Sequence, residues 1–197
     1  YYCQLTTRNV SGGIETQRQP TLNLAAYEVS GIDFQLDWAL DGGDFGMPGD
    51  LSFNLVLSNL LNYKIQNLAD APFLDYSGTI GNAQIDAGAI GFPEWKASLS
   101  ANYRVGALGL NAAYRWYDAM SNAADVGLAT ASQPGVKSAD YLDLTGTWDF
   151  GQGTILRAGV QNVFDSEPPQ WTGNGATDLA LYDLLQRRYY IGLKHRF

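Results

Sequence analysis

The sequence is poor in the residues on which most catalytic and metal sites depend. Its 197 residues include one cysteine and one histidine, and only 16% of them are charged. No apolar run approaches the roughly 18 residues that a membrane-spanning helix needs. The net charge of −8 does not fit a nucleic-acid-binding protein, which presents a basic surface. The mean hydropathy of −0.17 still fits a transmembrane β-barrel, whose strands are apolar only at alternate positions.

The single cysteine, Cys3, has no partner for a disulfide within the chain. It is either a lone thiol or half of a loop disulfide whose other half lies upstream of Tyr1. The chain opens on Tyr1-Tyr-Cys3 with no signal peptide. We therefore expect either that a signal peptide has been removed or that this is the tail of a longer protein.

The abundant feature is strict alternation of apolar and polar residues, most clearly in residues 187–197. One face of this segment carries Phe197, His195, Leu193, Ile191 and Tyr189, and the other carries Arg196, Lys194, Gly192, Tyr190 and Arg188. A period of two predicts a β-strand with one apolar face. A strand that ends the sequence on an aromatic residue is typical of the closing strand of an outer-membrane barrel.

Six earlier segments alternate in the same way, beginning near residues 24, 51, 94, 108, 141 and 155. The connections between them alternate between short turns (41–50, 105–107 and 151–153) and long loops (66–92, 118–137 and 165–186). Outer-membrane barrels separate short and long connections by end, with long loops facing outside. The sequence therefore predicts an all-β, antiparallel, up-and-down transmembrane β-barrel segment of about seven strands in residues 22–197. Residues 1–21 are polar and turn-rich and are predicted to be the remnant of an extracellular loop.

Aromatic residues on the apolar faces fall near the strand ends, as in the two girdles of a membrane barrel. The residues predicted to anchor the barrel in the outer-membrane lipid are Trp38, Trp95, Trp116, Trp148, Tyr189 and Phe197, and the wider girdles include Tyr63. The same parity predicts that Phe34, Leu55, Leu57, Leu99, Tyr114, Leu144, Val160, Ile191 and Leu193 face lipid. The predicted lumen residues include Asp33, Asp37, Asn54, Lys96, Arg104 and Arg157.

Residues 138–197 resemble the end of a TonB-dependent outer-membrane receptor. The resemblance rests on Tyr141-Leu-Asp-Leu144, on Leu156-Arg-Ala-Gly-Val-Gln-Asn-Val-Phe-Asp165 with Pro168-Pro169, and on Arg187-Arg-Tyr-Tyr-Ile-Gly-Leu-Lys194 with Phe197. Residues 27–38 match an earlier strand of that family more loosely. His195 departs from the aromatic residue expected third from the end.

This resemblance implies the C-terminal part of a 22-stranded barrel in the bacterial outer membrane. It also implies partners: the remaining strands, an N-terminal plug, the inner-membrane TonB energy-coupling complex, and the barrel assembly machinery that reads the last strand. No cofactor is implied. The alternative is a small autonomous barrel, or one subunit of a multi-chain barrel, with a structural or porin role. Seven strands alone would leave unsatisfied backbone groups in lipid, which favours the receptor.

The candidate ligand contacts lie at the loop end. Arg115 and Tyr117 belong to the inward parity near the predicted outer mouth. The aromatic candidates in the loops are Phe73, Tyr76, Trp171 and Tyr182. These either stack on a sugar or aromatic ligand or pack the loops against one another, and the sequence favours neither.

No catalytic or metal site is predicted. The turn with Asp41, Asp44 and Asp50 lacks the spacing of a calcium loop, and His195 lies away from the loops, so we expect no enzyme. The loops carry many carboxylates and one basic residue, Lys137. This balance favours uptake of a neutral oligosaccharide over an iron chelate or cobalamin.

Overall fold

The computed structural model describes residues 2–18, 26–68, 70–81, 91–171 and 177–196. Within them the chain is almost entirely β-structure, with three short 3-10 helices: η1 (Tyr2–Leu5), η2 (Gly42–Phe45) and η3 (Ala123–Asp125). The strands are β1 (Thr6–Arg8), β2 (Ile14–Gln17), β3 (Ala26–Asp41), β4 (Asp50–Gln66), β5 (Leu74–Asp75), β6 (Thr79–Ile80), β7 (Trp95–Val105), β8 (Leu108–Tyr117), β9 (Ser121–Asn122), β10 (Ala139–Gly151), β11 (Thr154–Gln161) and β12 (Arg188–His195).

Seven long strands form one antiparallel sheet in the order β12-β11-β10-β8-β7-β4-β3. Each strand pairs with its neighbour in the chain, so the topology is an up-and-down meander and the predicted fold class is confirmed. Among the described residues, no strand pairs with the outer edge of β3 or β12. The two edges are not bonded to each other. The strands expected to complete both edges remain a prediction.

The register places the predicted outward residues in rows across the sheet. Phe34 pairs with Leu57, and Trp38 pairs with Phe53, their rings lying 6.0 Å apart. Phe34 and Trp38 are 52% and 53% exposed, and Leu144 is 41% exposed. Large apolar side chains this open are too numerous for a water-facing surface. No second sheet covers this face in the described part of the chain, so a soluble sandwich is excluded.

The predicted anchoring residues lie on this outer face. Trp148 pairs with Leu108, and Tyr189 pairs with Val160. Trp95 and Trp116 lie on the same face at the loop end, whereas Phe197 lies outside the described residues. Contact of these rings with lipid remains a prediction. No helix in the described ranges has the length and apolar character needed to cross a membrane.

A β-bulge in β4 shows that the predicted alternation of faces is wrong for the end of this strand. Leu60 and Asn62 of β4 pair with the consecutive residues Gly31 and Ser30 of β3, so β4 holds one additional residue, Leu61. An additional residue reverses which side chains point to each face beyond it. Tyr63, predicted for the outer girdle, therefore pairs with Val29 and turns to the inner face.

The first residues contain more structure than predicted. Residues 1–21 were expected to be irregular loop, but β1 and β2 form an antiparallel hairpin, with Thr6 opposite Gln17. Its turn uses Gly12 at a φ of 82°, a conformation that costs glycine little. The hairpin is a separate two-stranded sheet, so it adds no strand to the barrel wall. Assignment of these residues to an extracellular loop stays a prediction.

The buried core lies at one end of the sheet instead of beneath it. The short connections at the other end include the η2 turn, where the side chain of Asp41 accepts a hydrogen bond from the Gly43 amide. The long loops gather at the opposite end and there bury the main apolar cluster. That end carries the candidate site.

Candidate functional site

The three long loops pack into one apolar cluster, which we call the loop cluster. It consists of Ile80, Met120, Val136, Ala139, Tyr141 and Tyr182, with Tyr117, Trp171 and Leu181 packed against it. All three loops contribute, and β10 supplies Ala139 and Tyr141 from the sheet. Ile80 and Tyr141 are completely buried. The loops are therefore a packed unit and not independent extensions.

Backbone hydrogen bonds join the first two loops. β6 of the loop 66–92 pairs in parallel with β9 of the loop 118–137, with Thr79 opposite Ser121. The ends of the second loop meet where Met120 and Val136 exchange backbone hydrogen bonds of 3.0 and 2.7 Å. Such pairing satisfies backbone groups that the packed loops remove from water.

The third loop is tied to the first through Asp178, whose side chain is almost completely buried. Its carboxylate accepts hydrogen bonds from the backbone amides of Gly91 at 2.5 Å, Ala180 at 2.7 Å and Leu181 at 3.2 Å. A buried carboxylate needs several such donors. The ring of Trp171 lies over Gly81, where an added Cβ would come within 2.9 Å of it. Asp178 and Trp171 thus hold this loop against Gly91 and Gly81 of the first loop.

Arg115 of β8 joins the third loop to the barrel wall. Its Nη2 lies 2.6 Å from a carboxylate oxygen of Asp183 in the loop and 3.4 Å from one of Asp143 on β10. The guanidinium also lies over the ring of Tyr141, 5.3 Å from its centroid. Two carboxylates on one arginine neutralise its charge and leave a small negative excess.

Tyr182 is the centre of the aromatic packing. It is 4% exposed and contacts the ring of Tyr117 edge to face, with centroids 5.9 Å apart. Burial, and then the nearby Tyr141, Asp178 and Tyr117, raise the pKa of Tyr182 well above its ordinary value. The phenol is therefore neutral at physiological pH and keeps its hydrogen as a potential donor.

Asp75 organises the start of the first loop. Its carboxylate accepts hydrogen bonds from the backbone amides of Tyr63 and Ser77 and from the Ser77 hydroxyl. Burial raises the pKa of Asp75, but these hydrogen bonds outweigh burial and hold the pKa below its ordinary value. The ionised side chain fixes the path by which the loop leaves β4.

The inner face beside the loop cluster carries a cavity of about 400 Å³. It is lined by Val29, Asp33, Tyr63, Phe92, Lys96 and Leu181, among others. The rings of Tyr63 and Phe92 are stacked with centroids 4.1 Å apart. A smaller cavity of about 140 Å³ adjoins it through Lys96 and is also lined by Arg115 and Tyr117. These two cavities and the loop cluster form the candidate site.

The structure distributes the predicted ligand contacts unevenly over this site. Arg115 and Tyr117 line the smaller cavity. Tyr76 and Tyr182 are buried at 8% and 4% exposure and contact protein instead of solvent, while Phe73 remains 38% exposed. Whether any of these residues contacts a ligand remains a prediction.

Sequence reasoning did not select three residues that line the larger cavity. Tyr63 was assigned to the wrong face because the bulge is invisible in an apolar run. Phe92 ends the loop 66–92 as predicted, but no local pattern reveals that its ring stacks on Tyr63. Lys96 was predicted to face the lumen but was not counted as a site residue. Within the described ranges, no group of three acidic, histidine or cysteine side chains is placed to hold a metal ion.

These features define a class of protein. A meandering antiparallel sheet with an uncovered apolar face, a polar inner face, short turns at one end and packed loops at the other is a segment of an outer-membrane β-barrel wall. Residues 3–163 match the family model described as "TonB dependent receptor-like, beta-barrel". Because this match spans most of the sequence, the chain belongs to the TonB-dependent receptor β-barrel family, and the resemblance in its sequence is confirmed.

Solved structures agree with this assignment at the level of the fold. Crystal structures of two mutant forms of the ferric enterobactin receptor PfeA from Pseudomonas aeruginosa each superpose with a TM-score of 0.57 at 16% identity. The similarity covers 88% and 89% of this chain but 23% of each receptor chain. The chain thus spans about a quarter of the length of these receptors. No curated protein sequence matches it.

Proposed function

We propose that this chain forms part of the barrel wall and external loops of a TonB-dependent receptor that imports a scarce nutrient across the bacterial outer membrane. The observation that carries the proposal is the loop cluster beside a polar inner face. Loops of this length are usually functional, and these three are packed into one unit over the inward side of the sheet. The family match favours a receptor barrel over the small autonomous barrel that the strand pattern left open.

The remaining parts of the proposal follow from the family. Receptors of this family are transporters and not enzymes, and their barrels enclose a plug and engage TonB. We extend these partners to this chain, together with lipid around the outer face and the barrel assembly machinery at β12. The inner face offers the plug polar side chains such as Asn54, which donates a 2.6 Å hydrogen bond to Asp37.

The charges at the site support a neutral ligand, with an oligosaccharide as the favoured class. Arg115 is a basic side chain in contact with the loop cluster, and Asp143 and Asp183 both neutralise it. A clamp for an anion needs cations that are not already paired. The stacked rings of Tyr63 and Phe92 offer an apolar platform of the kind that packs against a sugar ring.

A ferric chelate is the second candidate. Lys96 lines both cavities, and none of the described residues forms an ion pair with it. The superposed receptor is named for ferric enterobactin, although similarity at this identity supports the fold alone. A single free lysine makes this candidate weaker than the neutral ligand.

Binding by a receptor barrel that includes this chain tests the proposal. Purified protein would be titrated with maltohexaose, cellohexaose and xylohexaose, and separately with ferric citrate and a ferric tricatecholate. We expect binding of a neutral oligosaccharide that is lost when residues 165–186 are shortened, while the barrel still assembles. Unchanged affinity after shortening would remove this loop from the capture site. Binding of a ferric chelate alone would replace the oligosaccharide.

A further inference from the structure

Three buried polar groups in the loop cluster have no hydrogen-bond partner. They are the hydroxyls of Tyr141 and Tyr182 and the indole N–H of Trp171, and they are all the buried side-chain nitrogens and oxygens without a partner in the described part of the chain. Because the backbone amide of Asp183 lies near the Tyr141 hydroxyl, Tyr182 and Trp171 are the stronger cases. Nearly all buried polar groups in folded proteins are paired, so each exception requires a physical reason.

Packing alone does not explain these residues. Phenylalanine would fill the same space as a buried tyrosine and would not leave a hydroxyl unpaired. The ring of Tyr182 packs edge to face on Tyr117, a contact that a phenylalanine ring could also make. The polar atoms are therefore a cost in the arrangement seen here, and they are useful only in another arrangement or with another partner.

The location of these groups indicates what that partner is. Tyr117 lines the smaller inner cavity, and Leu181, next to Tyr182, lines the larger one. A ligand entering either cavity therefore lies against the loop cluster. A flat apolar ring that carries an O–H or N–H at its edge matches the two surfaces of a sugar, which has apolar C–H faces and polar hydroxyl edges.

The contacts that hold residues 177–186 in place can separate without unfolding the sheet. The apolar link is the packing of Tyr182 and Leu181 in the loop cluster, and the polar links include the Arg115–Asp183 ion pair and the hydrogen bond from Gly91 to Asp178. Water can replace the two polar contacts, and a bound ligand would cover the rings that opening exposes. No strand of the large sheet includes these residues.

We propose that Tyr182, Trp171 and Tyr141 form a subsite for a neutral, hydroxyl-rich ligand, which is closed here and opens when residues 177–186 move away from β10. This inference rests on the proposed function, because it assigns a ligand class to the same mouth. The hydroxyls and the indole N–H then bond to ligand hydroxyls, and the rings supply the apolar faces.

Phenylalanine substitutions test this subsite in a receptor barrel that includes this chain. Tyr182→Phe and Trp171→Phe remove the polar atom and keep an aromatic ring. Tyr103→Phe is the control, because the Tyr103 hydroxyl donates its hydrogen bond to the Pro48 carbonyl at the short-turn end of the sheet, far from the loop cluster. We expect the first two changes to weaken binding of the best oligosaccharide of the panel about threefold to tenfold, the range for one hydrogen bond. In Tyr182→Phe, hydrogen exchange in residues 177–186 should also become slower, because the closed arrangement loses an unpaired group while the ring is kept; Trp171→Phe also shrinks the packed ring, so its test is binding alone. The control should change neither quantity.

The outcomes separate this inference from the proposed function. If the wild-type receptor binds an oligosaccharide and both variants bind it equally well, the subsite is refuted while the proposed function stands. Slower exchange without weaker binding would show that the residues act on loop packing alone and would also refute the subsite. If the wild type binds none of the three sugars, both the substrate class and the subsite are overturned.

Discussion

The ion pair between Arg115 and Asp183 provides the sharpest test of how the third loop is held. The two side chains are 31% and 28% exposed, and their charged atoms lie 2.6 Å apart. The contribution of this pair to stability should therefore lie between that of a fully exposed ion pair and that of a buried one. Exposed pairs contribute up to about 1 kcal/mol, and breaking a buried pair costs about 3–5 kcal/mol. We expect Asp183→Asn to destabilise the closed loop by about 1–2 kcal/mol. Because about 1.4 kcal/mol is a factor of ten, exchange in residues 177–186 should accelerate roughly fivefold to thirtyfold.

The reverse change should have a larger effect. Arg115→Met leaves the carboxylates of Asp183 and Asp143 facing each other without a cation, which costs more than the loss of one partner charge. Hydrogen exchange measured by mass spectrometry on peptides covering residues 177–186 reports the opening directly. Arg104→Met is the matched control, since Arg104 faces inward near the other end of the sheet and forms no ion pair with any described residue. Its exchange profile in the loop should equal that of the wild type.

A double-mutant cycle decides whether the pair itself is responsible. If the ion pair holds the loop, Arg115→Met and Asp183→Asn together should be less damaging than the sum of the single changes, by about 1–2 kcal/mol. Strict additivity would refute this reasoning, because it would mean that each side chain acts through other contacts. High salt should weaken the coupling only modestly, since the pair is partly shielded from solvent.

Three further predictions concern the sheet and the first loop. Gly159→Ala should lower the stability of the folded barrel by about 1–3 kcal/mol, because an added Cβ would lie 2.5 Å from the hydroxyl of Tyr190. Gly192→Ala is the control, since a Cβ there meets nothing within 4 Å, and urea unfolding compares the stability of the two variants. Leu99→Arg on the outer face should cost about 2–4 kcal/mol in lipid vesicles, and Ala113→Arg on the inner face should be tolerated. Because the pKa of Asp75 is lowered in the folded state, its contribution is complete above the ordinary carboxylate pKa and is lost as the pH falls through the folded value. Loop exchange corrected for the intrinsic pH effect should therefore rise in strong acid in the wild type and not in the Asp75→Asn variant.

The sheet was predictable because alternation is a local property of the sequence. A lipid-facing side chain and its lumen-facing neighbour differ in polarity, so residues such as Phe34 and Asp33 identify their faces without any knowledge of the partner strand. The short turns were equally readable from their glycines. Boundaries agreed to within a few residues for all seven long strands.

The loop cluster was not predictable, because its contacts join residues that are far apart in the chain. Tyr182 contacts Tyr117, and Asp178 binds the amide of Gly91. Nothing local distinguishes an aromatic ring that packs a loop from one that awaits a ligand. The β1–β2 hairpin is different: Gly12 between the threonine-containing segments 6–8 and 14–17 was a readable turn signal, and the polar character of the segment obscured it.

The bulge in β4 explains why one strand serves two environments. β4 has 17 residues, which at about 3.3 Å per residue and a tilt near 40° gives a height of about 40 Å, whereas the apolar band is about 25 Å tall. We therefore expect its last third to extend beyond the apolar band. On the same geometry the additional residue, Leu61, lies about 28 Å above the turn end, just past the height of such a band. Beyond that point an outward ring would face water, and the bulge turns Tyr63 inward onto Phe92 instead. Leu60 and Leu61 are consecutive apolar residues, so either face of the sheet accepts them and the strand can change its alternation there. For the same reason, the sequence does not reveal the change.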